Sequence, residues 1–559
     1  MMISPFQVLM YYVITLLFTN KGLCSKMGFM ETLKKHINVI VIFVFASYLV
    51  CGLFIVKDYG ISTDEFIERE TTLINVEYVM SVFIEPEKNP IINQILTDRY
   101  HLHDWTDKYY GVALQMLTVP FEYLFERSYR NIFLIRHIYT FLNYFVAGIF
   151  FYFLLKRRFT NVFIPLIGLL MFILYPRFFG ESFYNIKDIL FFSWSIISSY
   201  FVLRWLDDDG GKKFLLPAAV SIAIAINTRI LGLSILMLAL AFLIFIQLMK
   251  NADYKIIILK TLGFASLSFL IYVIITPFLW ANPFKNTIAI FTHFKNFEPW
   301  PFTHLYLGEM ITQNVPWHYI PVWMGVTVPI LYLVLFLAGM VFLIRKCIRR
   351  DIPPMYDSFF GLMFLGTLMG FIAFRITMYE GWRHAYFIWL PFLYLCLTGL
   401  EQALIYVQNK NLFKINMTII VFSLVSAGLI FQLGWIIKNH PYQYVYFNVI
   451  GRQIAEEKFS LDYWEVSHTD LLRYALKDAG ERFITVKVHA RNYHLLLPHE
   501  LTRVECVIDS TIPYIDYYID HTRKPLHERV APEGFLELKS IIVDGMKIST
   551  LYKKDSFAN

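Results

Sequence analysis

Charge is scarce in this chain. Asp, Glu, Lys and Arg make up only 17% of 559 residues, while 57% are hydrophobic, and a soluble globular domain carries about 25% charge. That balance excludes a soluble protein. The formal charge is +7 with a pI near 8.8, yet no basic domain concentrates it; the Lys and Arg lie between apolar runs, which excludes a nucleic-acid partner and makes them topology signals. Cysteine is equally sparse. Cys24, Cys51, Cys347, Cys396 and Cys506 have no metal-like spacing, so neither a disulfide framework nor a zinc site is expected. Solenoid repeats and low-complexity linkers are also lacking.

What the chain has in quantity is apolar sequence. Runs long enough to cross about 30 Å of hydrocarbon as helices fall at 36–56, 135–155, 162–175, 189–206, 214–226, 230–248, 261–280, 322–344, 359–374, 385–406 and 417–437. The expected architecture is therefore a mainly α, polytopic membrane protein of about eleven spans. Each alternate loop should carry the Lys and Arg excess of a cytoplasmic loop. Lys156-Arg157-Arg158, Lys212-Lys213, Lys250 with Lys255 and Lys260, Arg345-Lys346 with Arg349-Arg350, and Lys410 with Lys414 all obey this rule. The outer segments are then 57–130, 176–187, the turn at Thr228-Arg229, 281–321, 379–384 and everything after Lys438.

Three regions emerge: an N-terminal stretch 1–33, a membrane domain 34–438 and an outer domain 439–559. The apolar run 6–18 is short for a span; it is an interfacial segment, an extra short span, or sequence upstream of a start at Met27 or Met30. Residues 439–559 shift to mixed polar composition with β-like runs at 483–488, 514–519 and 536–543 and helical patterning at 470–477, which reads as a small α/β domain. The loop 57–130 is too long for a connector; 109–125 suits a helix lying in the interface.

The outer face collects the unusual residues. Asp64-Glu65 follows Ser62-Thr63 just after the first span, a pattern that opens a helix as a cap and also places a carboxylate for proton transfer. Arg177, Glu181, Lys187 and Asp188 share one short outer turn, and charges that close to hydrocarbon are costly unless paired or used; snorkelling is the plainer explanation for Lys187. Arg229 and Arg383-His384 are further cations at outer helix ends, and together with Lys108 they could make a basic ring suited to a phosphate or pyrophosphate, with Arg making two-point contacts and Lys a point charge. His101, His103, Asp104 and Asp107 do not have a specific zinc spacing and read as a wet loop. The sequon at Asn416 sits at an expected cytoplasmic boundary and reads as chance.

This pattern resembles the polytopic glycosyltransferases of the GT-C fold that use lipid-phosphate-linked sugars, in particular glycosyltransferase family 39, the protein mannosyltransferase and aminoarabinose-transferase-like group. The resemblance rests on Asp64-Glu65, Asp107-Lys108, Pro176-Arg177-Phe178-Phe179 through Asn185-Ile186-Lys187-Asp188, Thr228-Arg229, Tyr379-Glu380-Gly381-Trp382-Arg383-His384, the stretch His440-Pro441-Tyr442-Gln443-Tyr444-Val445-Tyr446-Phe447-Asn448, and Asp462-Tyr463-Trp464. It covers the chain from Lys34 onward. Where many relatives open the interfacial helix with a His-Pro-Pro segment, this chain has Tyr109-Tyr110-Gly111. The resemblance implies inverting transfer of a monosaccharide from a polyprenyl-phosphate donor to an extracytoplasmic protein, glycolipid or polysaccharide, on the outer face of a bacterial inner membrane. Asp64 would be the base with Glu65 in support. Lys108, Arg177, Lys187, Arg229 and Arg383 would hold the donor phosphate, with Asp107, Glu181, Asp188 and His384 around them. No cofactor or metal is expected.

Three rivals remain. A polymerase or ligase using a lipid-pyrophosphate donor is the nearest. A secondary transporter would place ionisable residues within spans and show related halves. A receptor would leave about eleven spans and the charged outer turns unexplained.

Overall fold

The computed structural model describes residues 26–84, 101–124, 128–295, 303–312, 315–409, 417–489, 491–508 and 514–555. The run 6–18, Lys410, Lys414 and the sequon at Asn416 lie outside them.

Each of the eleven apolar runs lies mainly in helix, but they are not eleven equal spans, and the run 322–344 is divided at Val328-Pro329 between Tyr319–Thr327 and Ile330–Ile348. Among the described residues, nine helices are long and apolar enough to cross a membrane: Lys35–Asp58, Tyr129–Arg158, Asp188–Asp207, Ile230–Met249, Tyr254–Ile274, Ile330–Ile348, Met355–Ala373, Arg383–Gln408 and Met417–Lys438. The run 162–175 instead forms Phe163–Ile173, which breaks and bends by 60° into Pro176–Tyr184. The break falls where Pro176 takes the first helical position, since proline has no N–H to continue the preceding ladder. The run 214–226 becomes the 14-residue helix Leu215–Thr228, short of a full span. The expected span 261–280 starts earlier, at Tyr254, where the Asp253 carboxylate accepts from the backbone N–H of Lys255, and it ends at Ile274 ahead of Pro277. The protein is an integral membrane protein, mainly α-helical.

Close helix packing has visible sequence causes. Ile330–Ile348 and Trp389–Asn409 approach at Gly339 and Gly399, where a Cβ would lie 2.1 Å from the carbonyl oxygen of Leu395 and 2.0 Å from that of Leu335; only glycine permits that approach. Aromatic rings fill the space toward the end where the first span passes into the loop 57–130. Tyr175 stacks on Trp389 at 4.1 Å, Phe178 meets Tyr386 at 4.4 Å, and Tyr59 stacks on Phe183 at 4.4 Å. Across the opposite end, Arg158 makes a two-point contact with Asp357 at 2.7 and 2.8 Å and reaches Glu401 at 3.2 Å, tying three spans together.

The loop 57–130 contains the helix Glu65–Phe83 and, within 109–125, two short helices, Ala113–Met116 and Val119–Leu124, in place of one interfacial helix. Their outward side is apolar, with Leu117, Phe121 and Leu124 exposed. Gly111 lets this segment dock: a Cβ there would lie 2.0 Å from the backbone oxygen of Asn227, whose side chain also accepts from the N–H of Ala113 at 3.0 Å.

The C-terminal region is the expected α/β domain. Strands β3 (Ile484–Lys487), β4 (Val504–Val507), β5 (Tyr517–His521), β6 (Phe535–Val543) and β7 (Met546–Lys554) form a mixed sheet of order β4-β3-β5-β7-β6, with β3 parallel to β4 and β5 and the other pairings antiparallel. The helix His468–Ala479 covers it. A separate hairpin, β1 (His304–Tyr306) and β2 (Glu309–Ile311), reaches this region through a bridge from Tyr306 to Phe459. The β6–β7 turn docks on the membrane domain, where Trp435 donates to Asp544 at 2.6 Å.

Candidate active site

Segments far apart in sequence meet on one face. The backbone N–H of Thr63 donates to the carbonyl of Trp464 at 3.2 Å, which lays the C-terminal domain over the start of the first outer loop. Around this junction lie the turn 379–384, the end of the helix Pro176–Tyr184 and the turn at Arg229.

Asp64 stands at the N-terminal boundary of the helix Glu65–Phe83, but its side chain caps nothing. It accepts instead from an Nη of Arg383 at 2.6 Å. The Arg383 guanidinium lies 4.6 Å from the Trp464 ring and 4.9 Å from the Tyr379 ring, so its plane is set before it meets the carboxylate. The turn that presents it passes through Glu380 and Gly381 at φ values of +53° and +77°. Burial pushes the Asp64 pKa up, but Arg383, with Lys187 and Arg523 behind it, outweighs burial and holds it below the usual carboxylate value. Asp64 is ionised at neutral pH and keeps 39% of its side chain exposed.

Glu65 instead holds the turn that precedes the helix. Its carboxylate accepts from the N–H of Ser62 at 2.7 Å and from the Ser62 hydroxyl at 3.2 Å, and it lies 2.9 Å from Nε2 of His137. Glu65 is buried and turned to the protein interior.

The cations divide into groups. Lys187 pairs with Glu68 and sits 3.6 Å from the centre of the Tyr110 ring; burial would lower its pKa, but Glu68 and Tyr110 raise it, so it stays charged. Arg229 pairs with Asp188, whose carboxylate also accepts from Asn185 at 3.2 Å. Glu68 in turn accepts from Gln115 at 2.7 Å, and Gln115 from the buried Arg136 at 2.6 Å. Asp107 belongs near this group: burial raises its pKa while Lys187 lowers it and Glu68 and Asp64 add to the rise. The Nε atoms of Arg229 and Arg383 are buried without a hydrogen-bond partner among the described residues, and an unmet charged donor is costly unless a ligand satisfies it.

The other candidates lie apart from Asp64. Arg177 donates through Nε to the carbonyl of Tyr446 at 2.8 Å and lies 4.9 Å from the Phe447 ring, where it holds the segment after the last span. Glu181 accepts from Tyr386 at 2.5 Å and Asn185 at 2.7 Å. Lys108 donates to the carbonyl of His103 at 2.5 Å beside Tyr109. His384 packs edge-on to Tyr379. Among the described residues no group of three His, Cys, Asp or Glu side chains is arranged to hold a metal ion.

Two hollows lie at this junction and share Ser62, and Asp64 lines the narrower one. A narrow crevice is bounded by Asp64, Glu65, Glu68, Asn185, Lys187 and Trp464. A larger cavity, about 600 Å³, opens between residues 61–67 and the C-terminal domain. There Arg523 donates to the carbonyl of Tyr463 at 2.5 Å and lies 3.5 Å from Glu465 and 3.8 Å from Glu380. Glu68, Glu465 and Arg523 had no signal in the sequence beyond being charged; partners 119 residues away, as Glu68 is from Lys187, are visible only once the chain is folded.

No family model and no curated protein sequence matches the chain. Among solved structures it is similar to ArnT from Cupriavidus metallidurans bound to undecaprenyl phosphate, at 11% identity and a TM-score of 0.43 over 92% of this chain and 98% of that one. The same protein in the apo state gives 13% identity and the same TM-score. The oligosaccharyltransferase of Archaeoglobus fulgidus in the apo form gives 12% identity and a TM-score of 0.39, over 85% of this chain and 69% of that one. At these values no residue's role transfers from them.

Proposed function

We propose that this chain is a membrane glycosyltransferase that moves a monosaccharide from a polyprenyl-phosphate donor to a hydroxyl acceptor, with inversion at the anomeric carbon, on the extracytoplasmic face of a bacterial inner membrane. The observation that carries this reading is Asp64: an ionised, part-exposed carboxylate oriented by Arg383 at a crevice that Lys187 also lines. The neighbouring Glu65, Glu68 and Asp188 are buried and committed to partners.

The residues divide the reaction between them. The acceptor oxygen attacks the anomeric carbon, the bond from that carbon to the phosphate oxygen breaks, and the lipid phosphate leaves with the electron pair. The hydroxyl proton becomes acidic as the new bond forms, and Asp64 takes it. Lys187, Arg229 and Arg383 balance the charge left on the phosphate, with the unpartnered Nε atoms of the two arginines as ready donors. Glu65 holds the loop that carries Asp64. No metal or cofactor takes part in this scheme.

The test is transfer of labelled sugar from polyprenyl-phosphate donors by the full chain in proteoliposomes. Loss of transfer in Asp64→Asn, with an unchanged unfolding temperature, supports the reading; full turnover in that variant would sink it.

A further inference from the structure

The cavity beside Asp64 is unlike an ordinary crevice between domains in its charge. Three cations, Arg491, Arg523 and Lys524, line it against one carboxylate, Glu465. Glu465 offsets them only in part, because burial raises its pKa to about 7 against the lowering effect of Arg523. Lys524 lies 3.6 Å from Asp520, and Arg523 is shared between Glu380 and Glu465. Arg491 is different. It is exposed, its guanidinium lies 4.0 Å from the centre of the Phe66 ring, and among the described residues no carboxylate pairs with it.

The rest of the lining is mixed, with Ile61, Ile67, Met310 and Ile508 apolar beside a few hydroxyls. Thr63 and Thr303 supply hydroxyls, which both donate and accept. His494 is kept neutral, its pKa lowered to about 4 by burial and by Arg491 and Arg69, and its Nε2 has no hydrogen-bond partner among the described residues. Phe66 and Phe133 form an apolar wall. At about 600 Å³ the cavity is within the range of small-molecule sites, about 300–1,000 Å³.

We propose that this cavity is the acceptor subsite and that it selects a saccharide bearing a negative charge, a phosphate or carboxylate held by Arg491, with Arg523 and Lys524 setting the field. The assignment as acceptor subsite rests on the transferase reading; the preference for an anionic saccharide does not. Asp64 lines the adjoining crevice rather than this cavity, and the two are joined at Ser62, which lines both.

The experiment measures binding to the full chain in nanodiscs without donor, in the Asp64→Asn background so that no turnover intervenes. The probes are glucose, glucose 6-phosphate and glucuronate as free sugars, and dodecyl glucoside, its 6-phosphate and dodecyl glucuronide as lipid-borne forms. The charged member of each set should bind at least 10-fold more tightly than its neutral parent, with the preference shrinking at high salt. Comparison of the two sets tells whether the acceptor is membrane-borne or free. In Arg491→Gln the preference should fall to about 3-fold or less. Equal binding of charged and neutral forms, no binding of any probe, a preference that survives Arg491→Gln, or tighter binding of a Ser/Thr peptide would each overturn the proposal. If charge preference holds while Asp64→Asn keeps full transfer activity, the transferase assignment of Asp64 fails and the anionic site stands.

Discussion

Arg383 reaches Asp64 at 2.6 Å from 319 residues away, with its guanidinium between the rings of Tyr379 and Trp464. The contact joins the start of the loop 57–130 to the start of a late membrane span, and the aromatic pair fixes the angle at which it is made. Removing the carboxylate's charge with Asp64→Asn should lower kcat by about 10²–10⁴, the usual contribution of a general base, with donor KM little changed. Single-turnover transfer in proteoliposomes would separate the two.

Arg383→Gln should move the acid limb of the pH–rate profile upward. The base must be ionised, so activity falls as pH drops through the Asp64 pKa. Arg383 is the main group that lowers this pKa against burial, and with it gone burial prevails. An acid limb that stays in place in this variant would remove Arg383 from the role. Lys at this position should restore only part of the activity, because an ammonium lacks the planar fork.

Lys187→Met should weaken donor binding by about 10- to 100-fold, the worth of a charge-assisted hydrogen bond of about 1.5–3 kcal/mol. The substitution also leaves Glu68 unpaired, so the paired variant Lys187→Met with Glu68→Gln separates the two effects: donor KM should stay high while the unfolding temperature recovers. Lys108→Met, which removes a contact to a backbone carbonyl beside Tyr109, should affect donor KM much less.

Gly111→Ala is expected to destabilise the protein by about 1–3 kcal/mol through overpacking, because the new methyl would meet the Asn227 backbone oxygen at 2.0 Å. Thermal unfolding in nanodiscs would show it, and the variant should lose activity in step with the docking of Ala113–Met116 rather than with donor chemistry.

Chelation should leave transfer intact. His101, His103, Asp104 and Asp107 are not arranged as a metal site among the described residues. Activity abolished by chelator and restored by a divalent ion would overturn the metal-free scheme.

How much was legible before folding varies with the physics of each feature. Helical segments follow from local hydropathy, and all eleven runs lie mainly in helix. Their lengths did not follow, because Pro176 and Pro277 end helices inside or beside apolar sequence that a window cannot divide. Strands β3, β5 and β6 were visible as apolar runs; β4 and β7 were missed, since their polar residues make sense only against the neighbouring strands. Asp64 was visible as part of an acidic pair, but which member is buried and which stays part-exposed was not: Glu65 turns inward to Ser62 and His137, and that choice depends on buried partners far along the chain.

The sequence by itself determined that this is a polytopic membrane protein, which segments share a face, and that misplaced charge gathers on that face, because hydropathy and the Lys and Arg bias act on short stretches. Only the tertiary structure decided which charges pair. Lys187 with Glu68, Arg229 with Asp188, Arg383 with Asp64 and Arg523 with Glu380 and Glu465 are contacts between separate segments, and a charge at the membrane surface has no preferred partner until packing brings one within a few ångströms and removes the water between them.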